Sequence, residues 1–158
     1  MIPPDEDLRP DDRLRALGVD LDDVPTPQAS YLPARQVGDV VYTSGMGTRR
    51  GGVRHHLGVV GADVAVEEAR AAARIAGTNC LLAARSVVGS LDNVRAVIQL
   101  IGYVRSAPGF TEQHLVLEGA SELMIEVLGE RGQHTRAAVG VAELPLELSV
   151  EVQALFHV

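Results

Sequence analysis

Lysine is absent from this chain, and all 14 of its basic residues are arginine. Without a lysine amine there is no Schiff base to a carbonyl substrate, which excludes a pyridoxal-phosphate enzyme of the usual kind. A lysine-bearing phosphate loop is excluded for the same reason. Cysteine is nearly absent: the single Cys80 allows no internal disulfide and suits a reducing compartment. No apolar run reaches the roughly 18 residues of a membrane span. Met1 to Asp23 is charged and lacks the apolar stretch of a secretory signal. The expectation is a cytoplasmic protein with no membrane partner. Basic residues are outnumbered by 21 acidic ones, for a net charge of −7. Such a surface repels polyphosphates, and the scattered arginines form no basic run, so a nucleic-acid partner is not expected.

What is present is an apolar, glycine-punctuated chain. At 158 residues and 46% hydrophobic content it is long enough to bury a core as one domain. Residues 1–29 read as an N-terminal extension ahead of a domain over residues 30–158. In the extension, Asp11 to Leu17 predicts a short helix ended near Gly18, and Pro25 and Pro27 an extended connection. Tyr31 to Val37 and Val40 to Ser44 predict a hairpin closed by Gly38-Asp39. The segment from Gly45 to Gly61 is a loop with room for a short edge strand. Val64 to Val88 predicts the longest helix, because Val66, Ala69, Ala73, Ala76, Cys80, Ala83 and Val87 recur at steps of three and four. A turn at Leu91-Asp92-Asn93 precedes a strand from Val94 to Val104. A second helix runs from Thr111, as N-cap, to Leu128, ended by Gly129 and Gly132. This order of elements predicts the α+β class, with two helices against one sheet.

The chemistry gathers at the C-terminal end. Two strand-like runs flank Leu144-Pro145. With period two, Ala137, Val139 and Val141 share one face of the first run, and Val150, Val152, Ala154 and Phe156 one face of the second. The opposite faces carry Arg136, Ala138 and Gly140, and Ser149, Glu151 and Gln153. A turn centred on Pro145-Leu146 makes the runs a hairpin and puts Arg136 and Glu151 on one open polar surface. A planar guanidinium binds a carboxylate bidentately. A carboxylate in an otherwise apolar strand gains a raised pKa and suits general-base work. The competing roles are structural: an ion pair of Arg136 with Glu151 or Glu143, and an interfacial ion pair for Glu151.

Tyr31, the Gly38-Asp39 turn, Thr43-Ser44-Gly45, Leu91-Asp92-Asn93-Val94, Tyr103-Val104, Phe110, Arg136, Leu144-Pro145 and Val150-Glu151-Val152 stand in an order and spacing that resembles the RidA family, also called YjgF or L-PSP. The likeness runs from about Tyr31 to the C-terminus. Gly119 to Leu123 and Gly132 to Pro145 resemble a branch of that family with an N-terminal extension and little assigned function. The resemblance implies a chorismate-mutase-like fold, one mixed sheet with two helices on one face, and a homotrimer with sites in clefts between subunits. It implies a hydrolase that deaminates reactive 2-enamine or 2-imino acid intermediates to keto acids and ammonia. By resemblance, Arg136 binds the carboxylate of a small metabolite, Glu151 positions or activates water, and Tyr31, Ser44 and Gly45 line the cleft. Two positions depart from the pattern. Ala138 stands where better-known members carry a cysteine, and Glu118 where they carry a cleft asparagine. A glutamate beside a carboxylate subsite opposes binding or selects a different substrate.

Simpler roles compete at each remaining position. Tyr31 is either a hydrogen-bonding lid or packing beside a hairpin. Ser44-Gly45 offers a hydroxyl and a free N–H, or is a strand end that needs glycine. No His and Asp arrangement makes Ser44 an activated nucleophile. His55-His56 lacks further ligands at metal spacing, and nothing in the sequence calls for a cofactor. His134 reads as a solvated histidine, with tuning of Arg136 as the alternative. Cys80 reads as a small buried apolar residue. The alternative to an enamine/imine deaminase is a non-catalytic trimeric binding protein for small carboxylate metabolites. Ribonuclease activity is set aside on charge, and chorismate mutase activity because a fold does not imply a function.

Overall fold

Alternating burial along the strands decides which way the sheet faces. The computed structural model describes residues 8–158. Its elements are α1 (Pro10–Ala16), β1 (Ala34–Val37), β2 (Val40–Thr43), β3 (Arg49–Arg50), β4 (Val53–Arg54), α2 (Val66–Val88), β5 (Ala96–Arg105), α3 (Gln113–Leu128), β6 (Thr135–Val141) and β7 (Val150–His157). Five strands form one mixed sheet in the order β1-β2-β7-β5-β6, and β3 and β4 form a separate two-stranded ribbon. In β7, Val150, Val152, Ala154 and Phe156 are fully buried under the helices, while Glu151 and Gln153 are half-buried on the other face. The expected α+β class, with two helices on one face, is what the chain adopts.

Helix α2 buries the stripe from Ala69 through Ala73, Ala76 and Cys80 to Ala83, as its periodicity predicts. The small residues let α2 and α3 approach closely. Gly77 lies on Ala120, and a Cβ at Gly119 would run into the Arg70 carbonyl. Ion pairs bridge the exposed side of that contact, Arg70 to Glu122 at 2.6 Å and Arg74 to Glu126. Among the described residues no helix is long and apolar enough to cross a membrane. The N-terminal segment joins the same core: Leu14 and Leu21 are buried, Asp11 accepts from Arg85 at 2.9 Å, and Arg13 donates to the Val127 carbonyl at 3.1 Å.

Three local expectations are corrected. Strand β1 starts at Ala34 rather than Tyr31. Pro33 has no N–H to pair, although its carbonyl still accepts from Ser44 at 2.8 Å. Helix α3 starts after Glu112, with no side-chain cap from Thr111. The expected terminal hairpin does not form. β6 pairs in parallel with β5, and β7 lies antiparallel between β2 and β5. The connection from β6 to β7 passes the C-terminal end of β5, where Ser106 donates to the Val141 carbonyl and Arg105 to the Ser149 carbonyl.

That topology inverts the two faces of β6. Arg136 aligns with Leu100 and Ala154, on the helix side of the sheet. Val139 aligns with Tyr103 and Glu151, on the uncovered side. Arg136 and Glu151 of one chain therefore lie on opposite faces, not on a shared one.

Candidate functional site

The site begins with one extra residue. Tyr42 pairs with Leu155, and the next bridge joins Met46 to Val152, so Thr43, Ser44 and Gly45 stand against only Gln153 and Ala154. Such a bulge bends the strand and re-aims its side chains. Thr43 closes the gap: its hydroxyl oxygen accepts from the Ala154 N–H at 3.0 Å and its carbonyl from the Gln153 amide at 3.2 Å. Beneath it, Thr43 donates to Cys80 Sγ at 3.8 Å, and Cys80 donates to the Val152 carbonyl at 3.3 Å. Burial pushes the Cys80 thiol up to about 12, so it is an inert core group.

Past the bulge, Gly45 lies directly under the Glu151 side chain. A Cβ there would collide with the carboxylate, so this carboxylate position requires glycine. Ser44 donates its hydroxyl to the Leu32 carbonyl at 2.6 Å, and its N–H is engaged by Pro33. The Gly45 N–H has no partner among the described residues. The Glu151 carboxylate also makes no hydrogen bond or ion pair among the described residues, and burial raises its pKa above the ordinary carboxylate range. A carboxylate that is half-buried, unpaired and reluctant to ionise has the properties of a general base.

Above Glu151 opens a cavity of about 980 Å³. Tyr31, Ser44, Gly45 and Glu151 all line it, so four of the predicted site residues come together. Tyr31 is exposed at the rim, where its hydroxyl accepts from the Gln28 N–H at 3.4 Å. Leu146 forms part of another wall and, with Glu147, holds left-handed backbone at φ 60°. For residues other than glycine that conformation costs roughly 1–2 kcal/mol each, which marks this wall as a constrained segment.

The other predicted residues lie elsewhere. Arg136 sits on edge strand β6 and turns toward α3. It donates through Nη1 to Glu118 and to the Ser121 hydroxyl, both at 2.8 Å, and through Nη2 to the His114 carbonyl at 3.3 Å. Its ion-pair partner is therefore Glu118, not Glu151 or Glu143; Glu143 pairs with Arg105 at 2.6 Å. His134 is not simply solvated. Its Nδ1 is hydrogen-bonded to the Gly132 carbonyl at 2.6 Å and its Nε2 to the Ser121 hydroxyl at 3.0 Å. Ala138 packs against the core beside this network. In one chain, then, the cleft holds the candidate base, while Arg136, the arginine expected to bind a carboxylate, is outside it.

Sequence reasoning missed two groups that line the cleft. One is Pro25, Thr26 and Gln28, from the segment read as an extension. The other is Arg49 and Arg54, from ribbon β3–β4. The available signal for the ribbon was Gly51-Gly52, a two-residue turn in which both glycines have positive φ.

A family model described as "YjgF/chorismate_mutase-like, putative endoribonuclease" matches residues 11–157. Protein TCP17 of Trypanosoma cruzi is 38% identical over 143 residues, covering 90% of this chain and 89% of that one. The crystal structure of Atu1372 from Agrobacterium tumefaciens, a protein of unknown function, superposes with a TM-score of 0.87 at 41% identity. That match covers 94% of this chain and 92% of the other. The structure of E. coli TdcF with bound serine shares the fold, with a TM-score of 0.62 at 20% identity over 85% of this chain and 93% of that one.

Proposed function

The chain belongs to the YjgF/chorismate-mutase-like family, and from that membership and its cleft we propose that it deaminates 2-imino and 2-enamino acids hydrolytically. The single observation that carries this reading is Glu151: a carboxylate with a raised pKa and no partner among the described residues, held over Gly45 at the edge of a cavity of substrate size. Water adds to C2 of the imine, and Glu151 takes the proton that water loses. The nitrogen takes up one proton as this carbinolamine forms; the new hydroxyl then gives up its proton to become the C=O, the nitrogen takes up a second, and the C–N bond breaks. Ammonia leaves and a 2-keto acid remains. In this reading Tyr31 and the Gly45 N–H, both at the cleft, hold the substrate, and an Arg136 binds its carboxylate.

Arg136 and Glu151 lie on opposite faces of one subunit, so this chemistry needs a neighbour's Arg136. We infer a homotrimer with clefts between subunits. The uncovered sheet face supports association, because it exposes Tyr42 and Val139 beside Ile101 and Tyr103. An RNA substrate is disfavoured by the net charge of −7. The expected compartment is the cytoplasm.

A second reading, binding without turnover, is favoured by one observation: the guanidinium of Arg136 is already engaged by Glu118. One assay separates the two. An amino-acid oxidase generates 2-imino acids, and ammonia release is followed with wild type, with Glu151→Gln and without protein. Deamination requires acceleration by wild type and its loss in the variant, with thermal melting showing that the variant is folded. If wild type never shortens imine lifetime, the binding reading stands.

A further inference from the structure

We propose that the cleft is built for a ligand with two anionic groups, and that Arg49 and Arg54 hold the second one. The proposal rests on the cleft being the ligand site, and it names the class of ligand.

Arg49 and Arg54 are directly opposed partners across β3 and β4. Directly opposed residues of an antiparallel pair project to the same side. Both line the cavity above Glu151, as does Gly52 in the turn between them. Neither guanidinium has a hydrogen bond or ion pair among the described residues. Like charges directly opposite each other destabilise a ribbon, and one with two residues per strand has little pairing to spare. This arrangement is also at odds with a chain of net charge −7, which has ample carboxylates to supply a partner.

The ribbon is held by contacts that do not use these two guanidiniums. Arg50 donates to the Gly18 carbonyl at 2.6 Å, and the Gly51 N–H donates to Asp23 at 2.7 Å. The Asn79 amide donates to the carbonyls of Gly47 and Arg49 at 2.9 and 2.8 Å. Backbone and Arg50 thus fix the ribbon, and the Arg49 and Arg54 side chains are not needed to do so. Glu151 is not their counterion either. Its pKa is raised by burial, with no opposing contribution from a guanidinium.

Two guanidiniums without partners among the described residues, from opposed residues that line one cavity, match a carboxylate or a phosphoryl group. In the proposed chemistry the carboxylate next to the imine goes to Arg136. The Arg49–Arg54 pair then takes a group at the far end of the substrate, which points to imino acids with acidic side chains.

Calorimetry with 2-oxoglutarate and 2-oxopentanoate tests this. The two keto acids have the same chain length and differ in the terminal carboxylate. Wild type is expected to bind 2-oxoglutarate at least about tenfold more tightly at low salt, the scale of one charge-assisted hydrogen bond. Arg49→Gln and Arg54→Gln should each shrink that ratio, and the double variant should bring it near one. Arg95→Gln, an exposed arginine away from the cleft, should keep it. The double variant relieves a like-charge pair, so it should melt no lower than wild type. Equal affinities in wild type, or a preference that survives the double variant, would overturn the second subsite and leave the deaminase reading intact. A preference that tracks the two arginines without any imine hydrolysis would support the subsite and sink that reading. Failure of both keto acids to bind would overturn the second subsite and leave the deaminase reading to the imine assay.

Discussion

Gly45→Ala and Gly119→Ala are the same chemical change with opposite expected consequences. At Gly45 the three atoms nearest a new Cβ all belong to the end of the Glu151 side chain, which is flexible. The φ angle of Gly45 is not in the left-handed region, so alanine suits the backbone. Swinging Glu151 aside costs about 0.5–1.5 kcal/mol. Reduced freedom of the unfolded chain returns about 0.4–1 kcal/mol. Stability should stay within about 1 kcal/mol, or roughly 3 °C in melting temperature for a chain of this size. Imine hydrolysis should fall about 10²–10⁴-fold, because the general base has moved. At Gly119 the new Cβ meets the backbone carbonyl of Arg70, which moves only if the two helices separate. Overpacking of that kind costs about 3 kcal/mol, and better helix propensity offsets about 1 kcal/mol. Gly119→Ala should therefore melt about 4–8 °C lower. Thermal melting by circular dichroism and imine half-life, measured on both variants, decide the matter. A Gly45→Ala variant that hydrolyses like wild type would refute the claim that the position of this carboxylate matters. One that melts as low as Gly119→Ala would show that the Gly45 contact is rigid packing.

Three further outcomes are expected. Burial raises the folded-state pKa of Glu151, so its contribution to stability is complete below the unfolded value of about 4.3 and is lost as pH rises through the folded value. Glu151→Gln should therefore melt above wild type at pH 7, with the gap closing toward pH 4; a lower-melting variant at pH 7 contradicts this. Glu118→Gln frees a guanidinium from a partly exposed pair, 28% and 40% exposed, worth at most about 1 kcal/mol. Carboxylate ligands should bind up to about fivefold more tightly by calorimetry, and no change would mean that ligands do not reach Arg136. Cys80, buried and with its thiol pushed up to about 12, should resist iodoacetamide at pH 8 until the chain unfolds, and rapid labelling of the native protein would contradict its burial.

What was legible in the sequence was what short spacing encodes. The stripe of α2 depends on residues three and four apart, and the alternation of β7 on residues two apart, so both are local. Period two also separated the faces of β6 correctly. It carried no information about the neighbouring strand, because pairing joins residues far apart in the chain. Leu144-Pro145-Leu146 has the composition of a tight turn, yet residues 142–149 pass an intervening strand instead of closing a hairpin. Ala137, Val139 and Val141 form an apolar stripe that resembles a core face, but it lies on the side of the sheet that no helix covers. Arg49 and Arg54 were hidden because only two residues pair in each strand of their ribbon, too few for alternation to show.

The same topology has a consequence for activity. Arg136 is carried by the edge strand β6 and leans to the helix side, whereas Glu151 sits on an inner strand and faces the other way. A side chain does not pass through a hydrogen-bonded sheet, so one subunit's Arg136 does not reach its own Glu151. An edge strand is also where a second chain comes closest. The proposed reaction therefore depends on assembly, and its rate per chain should fall once dilution separates the subunits. Arg136→Gln and Glu151→Gln offer a sharper test. Mixed together and allowed to exchange subunits, two inactive variants should regain partial activity, because some clefts then combine an intact arginine with an intact glutamate from a neighbour. If the mixture stays as inactive as its parts while exchange is verified by mass, both residues are required from the same chain. The separation across the sheet would then have to be bridged in some other way.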